Sequence, residues 1–190
     1  MSKGKGRIVI ISAPSGAGKG TVIHRLLELC PELVFSVSAT TRSPRVGEKE
    51  GVSYYFTTRE RFVEMIDRDE FLEYAEYVGE FYGTPKKPIY DCLEGGKNVL
   101  LDIEIQGARQ VIAKEPEAVT IFIVPPSMRE LERRLRGRGT DSEAKLTARL
   151  ERARIELNEK ENYNHIVVNE QVSRAAEEIL SIITKSPSQL

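Results

Sequence analysis

The sequence predicts an α/β protein, a parallel-sheet core interrupted by an inserted α+β lobe and by a basic helical segment. Three observations carry this reading. Short β-branched runs alternate with helical patterns, the rhythm of a parallel sheet covered on both faces. A glycine-rich turn links the first run to the first helix. A polar stretch over 38–90, rich in Tyr, Glu and Gly, then breaks the alternation.

Ile8-Val9-Ile10-Ile11 reads as a strand buried on both faces. The turn Ala13–Gly20 follows. Val22, Ile23, Leu26, Leu27 and Cys30 then recur at helical spacing until Pro31 stops the helix. Val34–Val37 is a second strand. Val99–Ile103, after the turn Gly95-Gly96, is a third, Val119–Val124 a fourth and His165–Val168 a fifth. Helical patterns cover 106–114, 127–136 and 171–184. These place the core in 1–37 and 91–190, with 38–90 as the inserted lobe. Within the lobe Val52–Phe56 reads as a strand, and Thr57-x-x-Glu60 as a capping box opening a helix to Arg68. Phe71–Val78 and Glu80–Tyr82 read as further strands. The segment 126–160 is helical, with Ser127-x-x-Glu130 and Thr140-x-x-Glu143 as caps. Gly137 and Gly139 make a hinge-like loop between its helices.

Composition narrows the function classes. With 190 residues, 40% apolar and 30% charged, the chain can bury a core. Its 28 Lys and Arg against 29 Asp and Glu give a formal charge of -1, which argues against a general nucleic-acid or membrane-surface protein. No apolar run approaches the roughly 18 residues of a membrane span. Cys30 and Cys92 make neither a metal cluster nor a disulfide framework, so a cytoplasmic setting is expected.

Ala13-Pro14-Ser15-Gly16-Ala17-Gly18-Lys19-Gly20-Thr21 follows a buried strand and opens a helix, the context of a phosphate-binding loop. Glycines let successive N–H groups converge on one anion, and the helix N-terminus adds partial positive charge. Lys19 supplies an ammonium for the outer phosphates. Two positions depart from G-x-x-x-x-G-K-[ST]: Ala13 stands for the first glycine and Gly20 for the hydroxyl residue. Thr21, one residue on, carries a hydroxyl for a phosphate or for Mg²⁺.

Further motifs follow in order. They are Ser36-Val37-Ser38-Ala39-Thr40-Thr41-Arg42-Ser43-Pro44-Arg45-Val46-Gly47-Glu48, Gly51–Phe56 and Phe81-Tyr82-Gly83-Thr84. Leu101-Asp102-Ile103-Glu104-Ile105-Gln106-Gly107-Ala108, Arg134–Gly139 and Ile166-Val167-Val168-Asn169 complete the set. Together with the phosphate loop they strongly resemble the guanylate kinases, from about residue 6 to 184. The resemblance implies a P-loop core, a GMP-binding lobe over 38–90 and a mobile lid over 126–160. It implies transfer of a phosphoryl group from ATP to GMP or dGMP, with Mg²⁺ accompanying ATP.

The resemblance also implies roles. Arg42 and Arg45 bind the GMP phosphate, with hydroxyls from Tyr54 and Tyr82; planar guanidiniums suit such an anion. Guanine offers donors at N1 and N2, so its pocket needs acceptors. Glu73 matches the family's guanine-binding glutamate, and Ser38 and Thr84 its hydroxyl contacts. On residues alone either Glu70 or Glu73 could be a surface acid. Asp102 and Glu104 sit between the two nucleotides, and Asp102 would reach Mg²⁺ through water. The family more often has Asp where Glu104 stands.

Between Arg129 and Arg154 nine Lys or Arg face five Asp or Glu. Leu146, Leu150, Ala153 and Leu157 share one helical face, and Arg149 flanks it. By resemblance Arg134, Arg138 and Arg149 close over the ATP phosphates, Asn169 meets adenine, and Lys19, Arg42, Arg138 and Arg149 stabilise the transferring group. Arg136, Arg152 and Arg154 read as surface. Two rival readings have clear discriminators. A kinase for another nucleoside monophosphate would not need the acceptors Ser38, Glu73 and Thr84. A non-catalytic binding module would lack Gly18, Lys19 and the lid arginines.

Overall fold

The computed structural model describes residues 5–137 and 142–185. In chain order the first elements are β1 (Ile8–Ser12), α1 (Lys19–Leu29), β2 (Val34–Phe35), β3 (Ala39–Thr40), β4 (Tyr55–Phe56), α2 (Arg59–Asp67), β5 (Phe71–Tyr77) and β6 (Glu80–Pro85). There follow α3 (Lys86–Glu94), β7 (Val99–Asp102), α4 (Ile105–Lys114), β8 (Val119–Val124), α5 (Met128–Arg136), α6 (Glu143–Leu157), β9 (His165–Val168) and α7 (Val172–Thr184). A 3₁₀ turn over Asn158–Asn162 links α6 to β9. The five-stranded sheet has the order β2-β7-β1-β8-β9. Its pairs β1–β8, β8–β9 and β2–β7 are parallel. No helix among the described residues is long and apolar enough to cross a membrane.

The chain divides into two compact units, Val9–Leu33 with Val119–Leu190, and Met1–Ile8 with Val34–Ala118. In the first unit β1 is buried at every position, as its unbroken apolar run demands. α7 packs on α1, burying Ala175, Ala176, Ile179, Ile182 and Ile183. α5 and α6 share a small core of Leu131, Leu135, Leu146 and Ala153, with Leu150 against it. Ser127 caps α5 by accepting from the Glu130 N–H. α6 is capped by Ser142, which accepts from the Lys145 N–H; Thr140, the expected cap, lies outside the described residues.

The second unit holds the lobe sheet, order β4-β3-β6-β5, with β3–β4 parallel and the other two pairs antiparallel. Phe62 and Phe71 stack at 4.4 Å between ring centres and, with Ala39, form the lobe's core. Here the structure departs from the sequence expectations. Only Tyr55 and Phe56 of Val52–Phe56 form a strand. The N–H groups of Val52 and Ser53 turn back to the Lys49 carbonyl, and Gly51 adopts φ 70°. The α2 cap is Thr58, one residue later than expected, because the Thr57 N–H extends the β3–β4 ladder by bonding the Thr40 carbonyl. β6 runs on to Pro85, and α3 was not anticipated.

Candidate active site

In the first unit the loop between β1 and α1 is shaped by two glycines in left-handed conformations, Gly16 (φ 92°) and Gly18 (φ 90°). Each is also needed for space. A Cβ on Gly16 would lie 2.7 Å from a Leu135 methyl, and one on Gly18 2.5 Å from Asn169 Nδ2. The Ala17 N–H closes a turn onto the Pro14 carbonyl at 3.1 Å. Pro14 and Ala17 are buried, Ala13 and Ser15 half-buried. Lys19 begins α1 and is half-buried, with Gly20 and Thr21 exposed beside it. A Cβ on Gly20 would meet nothing within 4 Å, so this departure from the usual hydroxyl residue leaves open space.

The basic segment and Asn169 converge on this loop. Arg134 donates to the Ala17 carbonyl at 3.3 Å and to the Asn169 carbonyl at 2.9 Å, while its Nε is held by Glu130 at 2.8 Å. Hydrogen bonds from Arg133 and then Arg134 draw the Glu130 carboxyl down to about 2. Arg149 donates to Ser15 Oγ, from Nη2 at 2.9 Å and from Nε at 3.3 Å. Asn169 is buried and donates through Nδ2 to the Ala17 carbonyl at 2.8 Å; its Oδ1 is buried with no hydrogen-bond partner. Arg136, Arg152 and Arg154 are exposed and pair with neighbouring glutamates. Arg138 lies outside the described residues. The sequence reading missed Glu156, whose carboxylate accepts from the Ser15 N–H at 3.1 Å.

In the second unit the acceptor pocket is built on β5 and β6. Glu73 and Thr84 are directly opposed across the strands, and Thr84 Oγ1 donates to Glu73 Oε1 at 2.6 Å. Glu73 is only 6% exposed. Burial pushes its carboxyl above the usual glutamate value, against smaller opposing effects of the Thr84 hydroxyl and Lys114. Glu70, the other candidate acid, is half-buried and lies before the strand. A β-bulge between Phe71 and Glu73 breaks the in–out alternation, so Phe71, Leu72 and Glu73 are all buried. Gly107 makes room for the carboxylate: a Cβ there would stand 2.5 Å from Glu73 Oε2.

Ser38 immediately precedes β3, half-buried, and its carbonyl accepts from Tyr55. Arg42 follows β3 and lies 5.3 Å from the Tyr54 ring centre; Tyr54 meets Tyr82 edge-on at 6.1 Å. Glu48, which the sequence reading quoted without a role, holds Arg42 and also accepts from the Arg45 N–H at 2.7 Å. The Arg45 side chain is exposed. Asp102 ends β7 half-buried, and Glu104 is exposed at the start of α4.

A buried parallel strand, a loop with two left-handed glycines and a lysine at the helix start define the nucleotide-phosphate-binding class of α/β proteins. The family model described as guanylate kinase matches residues 5–186, and the chain belongs to that family. It is 50% identical over 179 residues to the guanylate kinase of Synechococcus sp. (strain JA-3-3Ab), covering 94% of this chain and 82% of that one. It is 47% identical over 186 residues to that of Clostridioides difficile (strain 630), covering 98% and 91%. The crystal structure of guanylate kinase from Anaplasma phagocytophilum superposes with a TM-score of 0.76 at 40% identity, covering 95% of this chain and 86% of that one.

Proposed function

We infer that the chain transfers the terminal phosphoryl group of ATP to GMP or dGMP, giving ADP and GDP or dGDP. The observation that carries this, beside family membership, is the buried Glu73 carboxylate held by Thr84, with room for it left by Gly107. Two adjacent acceptor atoms match the N1–H and N2–H donors of guanine. Adenine would present its N1 acceptor to the same carboxylate, and an unpaired buried charge is strongly disfavoured.

Residues 38–90 serve as the GMP lobe, where Arg42 and Arg45 take the phosphate, aided by Tyr54 and Tyr82, and Ser38 adds a base contact. Ala13–Thr21 cradle the ATP phosphates, with Lys19 on the outer ones. Arg134, Arg138 and Arg149 belong to a lid over 126–160. Asn169 Oδ1, a buried acceptor, suits the exocyclic amine of adenine. Catalysis is positioning and charge neutralisation. No general base is needed, because the attacking phosphate oxygen of GMP is already anionic. Lid closure excludes water, the competing acceptor.

Among the described residues no group of three or more His, Cys, Asp or Glu could hold a metal by itself. A Mg²⁺ ion accompanying ATP would have the strand-end carboxylate of Asp102 as its hard oxygen partner, with Glu104 nearby in sequence. When bound, the ion neutralises charge developing on the transferred group. A cytoplasmic setting completes the proposal.

The test is a coupled assay with ATP and each of GMP, AMP, CMP and UMP. GMP and dGMP are turned over, and AMP is poorer by about 10⁴-fold. Comparable turnover of AMP overturns the assignment of base.

A further inference from the structure

β5 is an edge strand of the lobe sheet, and the bulge at Leu72 leaves it less constrained than a regular ladder would. Yet this strand carries the carboxylate that must meet guanine to within a few tenths of an ångström. The missing restraint comes from α4. Gly107, Gln110 and Lys114 lie three and four residues apart, on one helical face. Gln110 pairs with Tyr74 as a strand neighbour would. Its Nε2 donates to the Tyr74 carbonyl at 2.9 Å, and its Oε1 accepts from the Tyr74 N–H at 3.3 Å. Lys114 Nζ donates to the Leu72 carbonyl at 2.7 Å and to the Phe71 carbonyl at 3.4 Å. Glu73 lies between these two clamps, and Gly107 faces its Oε2. The side chains of one helix face thus replace the missing strand on both sides of Glu73, bulge included.

We propose that Gln110 and Lys114 are positioning residues for guanine recognition, fixing the backbone of β5 so that both Glu73 oxygens keep their places. This rests on the reading of Glu73 as the guanine acceptor. Covering a sheet edge against aggregation would need only some polar cover. Here the hydrogen bonds fall on Phe71, Leu72 and Tyr74, the residues that flank Glu73.

The experiment uses the full chain with Gln110→Met and Lys114→Met, singly and together, and Lys114→Arg as the donor-retaining variant. Steady-state kinetics are measured with GMP and with inosine monophosphate, which keeps N1–H but lacks the 2-amino group. KM for ATP and the thermal midpoint are followed in parallel. The double variant should raise KM for GMP by about tenfold or more and narrow its preference over inosine monophosphate, since the second hydrogen bond is the one lost. The kcat at saturating GMP and the KM for ATP should stay within about twofold. Lys114→Arg should restore most of the loss seen in Lys114→Met. An unchanged KM for GMP overturns the proposal. So does an equal rise for both nucleotides with a falling thermal midpoint, which would mean edge cover alone. Glu73→Gln separates the two levels. If it leaves both nucleotides untouched, the guanine reading falls and the proposal with it. If it impairs GMP while the methionine variants do not, only the proposal falls.

Discussion

Arg42 and Glu48 form a two-pronged ion pair, Nη1 to Oε2 and Nη2 to Oε1, both at 2.9 Å. Nη1 also donates to the Ser43 carbonyl at 2.7 Å. The end of the guanidinium is therefore committed to the protein, and the Tyr82 hydroxyl is a further partner of Arg42. Glu48→Gln should raise KM for GMP by about tenfold, the worth of one charge-assisted hydrogen bond. Binding of guanosine, which has no phosphate, should not change. Titration of both ligands checks this, and tighter GMP binding would make Glu48 a competitor for Arg42 instead.

Lys19 begins α1, half-buried and outside the buried hydrophobic core. Lys19→Ala should lower kcat by about 10³-fold or more while the thermal midpoint moves little. Turnover equal to the parent chain would remove the phosphate-loop assignment.

The Glu73 carboxyl is raised above its ordinary 4.5, chiefly by burial. On the proposed reading guanine meets the carboxylate, so KM for GMP should climb as pH falls through this raised value, earlier than for an exposed glutamate. Glu73→Gln should abolish that limb. For stability the sign is opposite. A raised folded-state pKa favours the folded protein at low pH, and the benefit is lost as pH rises above 4.5 and through the raised value. Thermal melts should therefore show Glu73→Gln gaining on the parent at about pH 8 relative to about pH 4.

Two glycines in one loop should respond in opposite directions. Gly18→Ala puts a side chain at φ 90° and against Asn169, and should cost about 1–3 kcal/mol. Gly20→Ala adds a methyl into open space in the first turn of α1, and should stabilise by about 0.5–1 kcal/mol. Chemical denaturation of both variants measures the contrast.

The β5–β6 hairpin turns through Val78 (φ 51°) and Gly79 (φ 79°), the signature of a type I′ turn. Val78 is 84% exposed, so packing does not compensate a β-branched residue in the left-handed region. Val78→Asn should stabilise the protein by about 1 kcal/mol, read as a higher denaturation midpoint.

The core was legible where one signal sufficed. The runs at Ile8 and Val119 are strands buried almost throughout, and β8 and β9 begin and end where their runs do, although β9 lies at the sheet edge and exposes Ile166 and Val168. The lobe was harder. Val52 looks like a strand residue yet is exposed, because the turn bonds onto Lys49 decide the backbone there. α3 escaped because Pro88 sits in its first turn, where proline is tolerated but reads as a breaker. For the candidate site, the motifs single out residues such as Glu73 and Arg134, and the structure places Glu73 buried against Thr84 and Arg134 against the Ala17 carbonyl. Their holders Lys114, Gln110 and Glu156 were not singled out, because each acts on backbone far away in sequence, and Glu48, close to Arg42 and Arg45, had no role assigned to it. The bulge at Leu72 has no local marker in the sequence.

The packing of α7 on α1 has a consequence for synthesis. The phosphate loop is written at the start of the chain, but the helix it opens buries its apolar face against residues 172–184. β1, moreover, pairs with β8, which is translated only after the whole lobe. A nascent chain therefore carries the paired Glu73 and Thr84 and the helix behind them, all within 34–118, before β8 lies beside β1 or α7 supports α1. During elongation the lobe can mature first, and the phosphate loop gains its full support only when the far end of the chain has returned to its beginning.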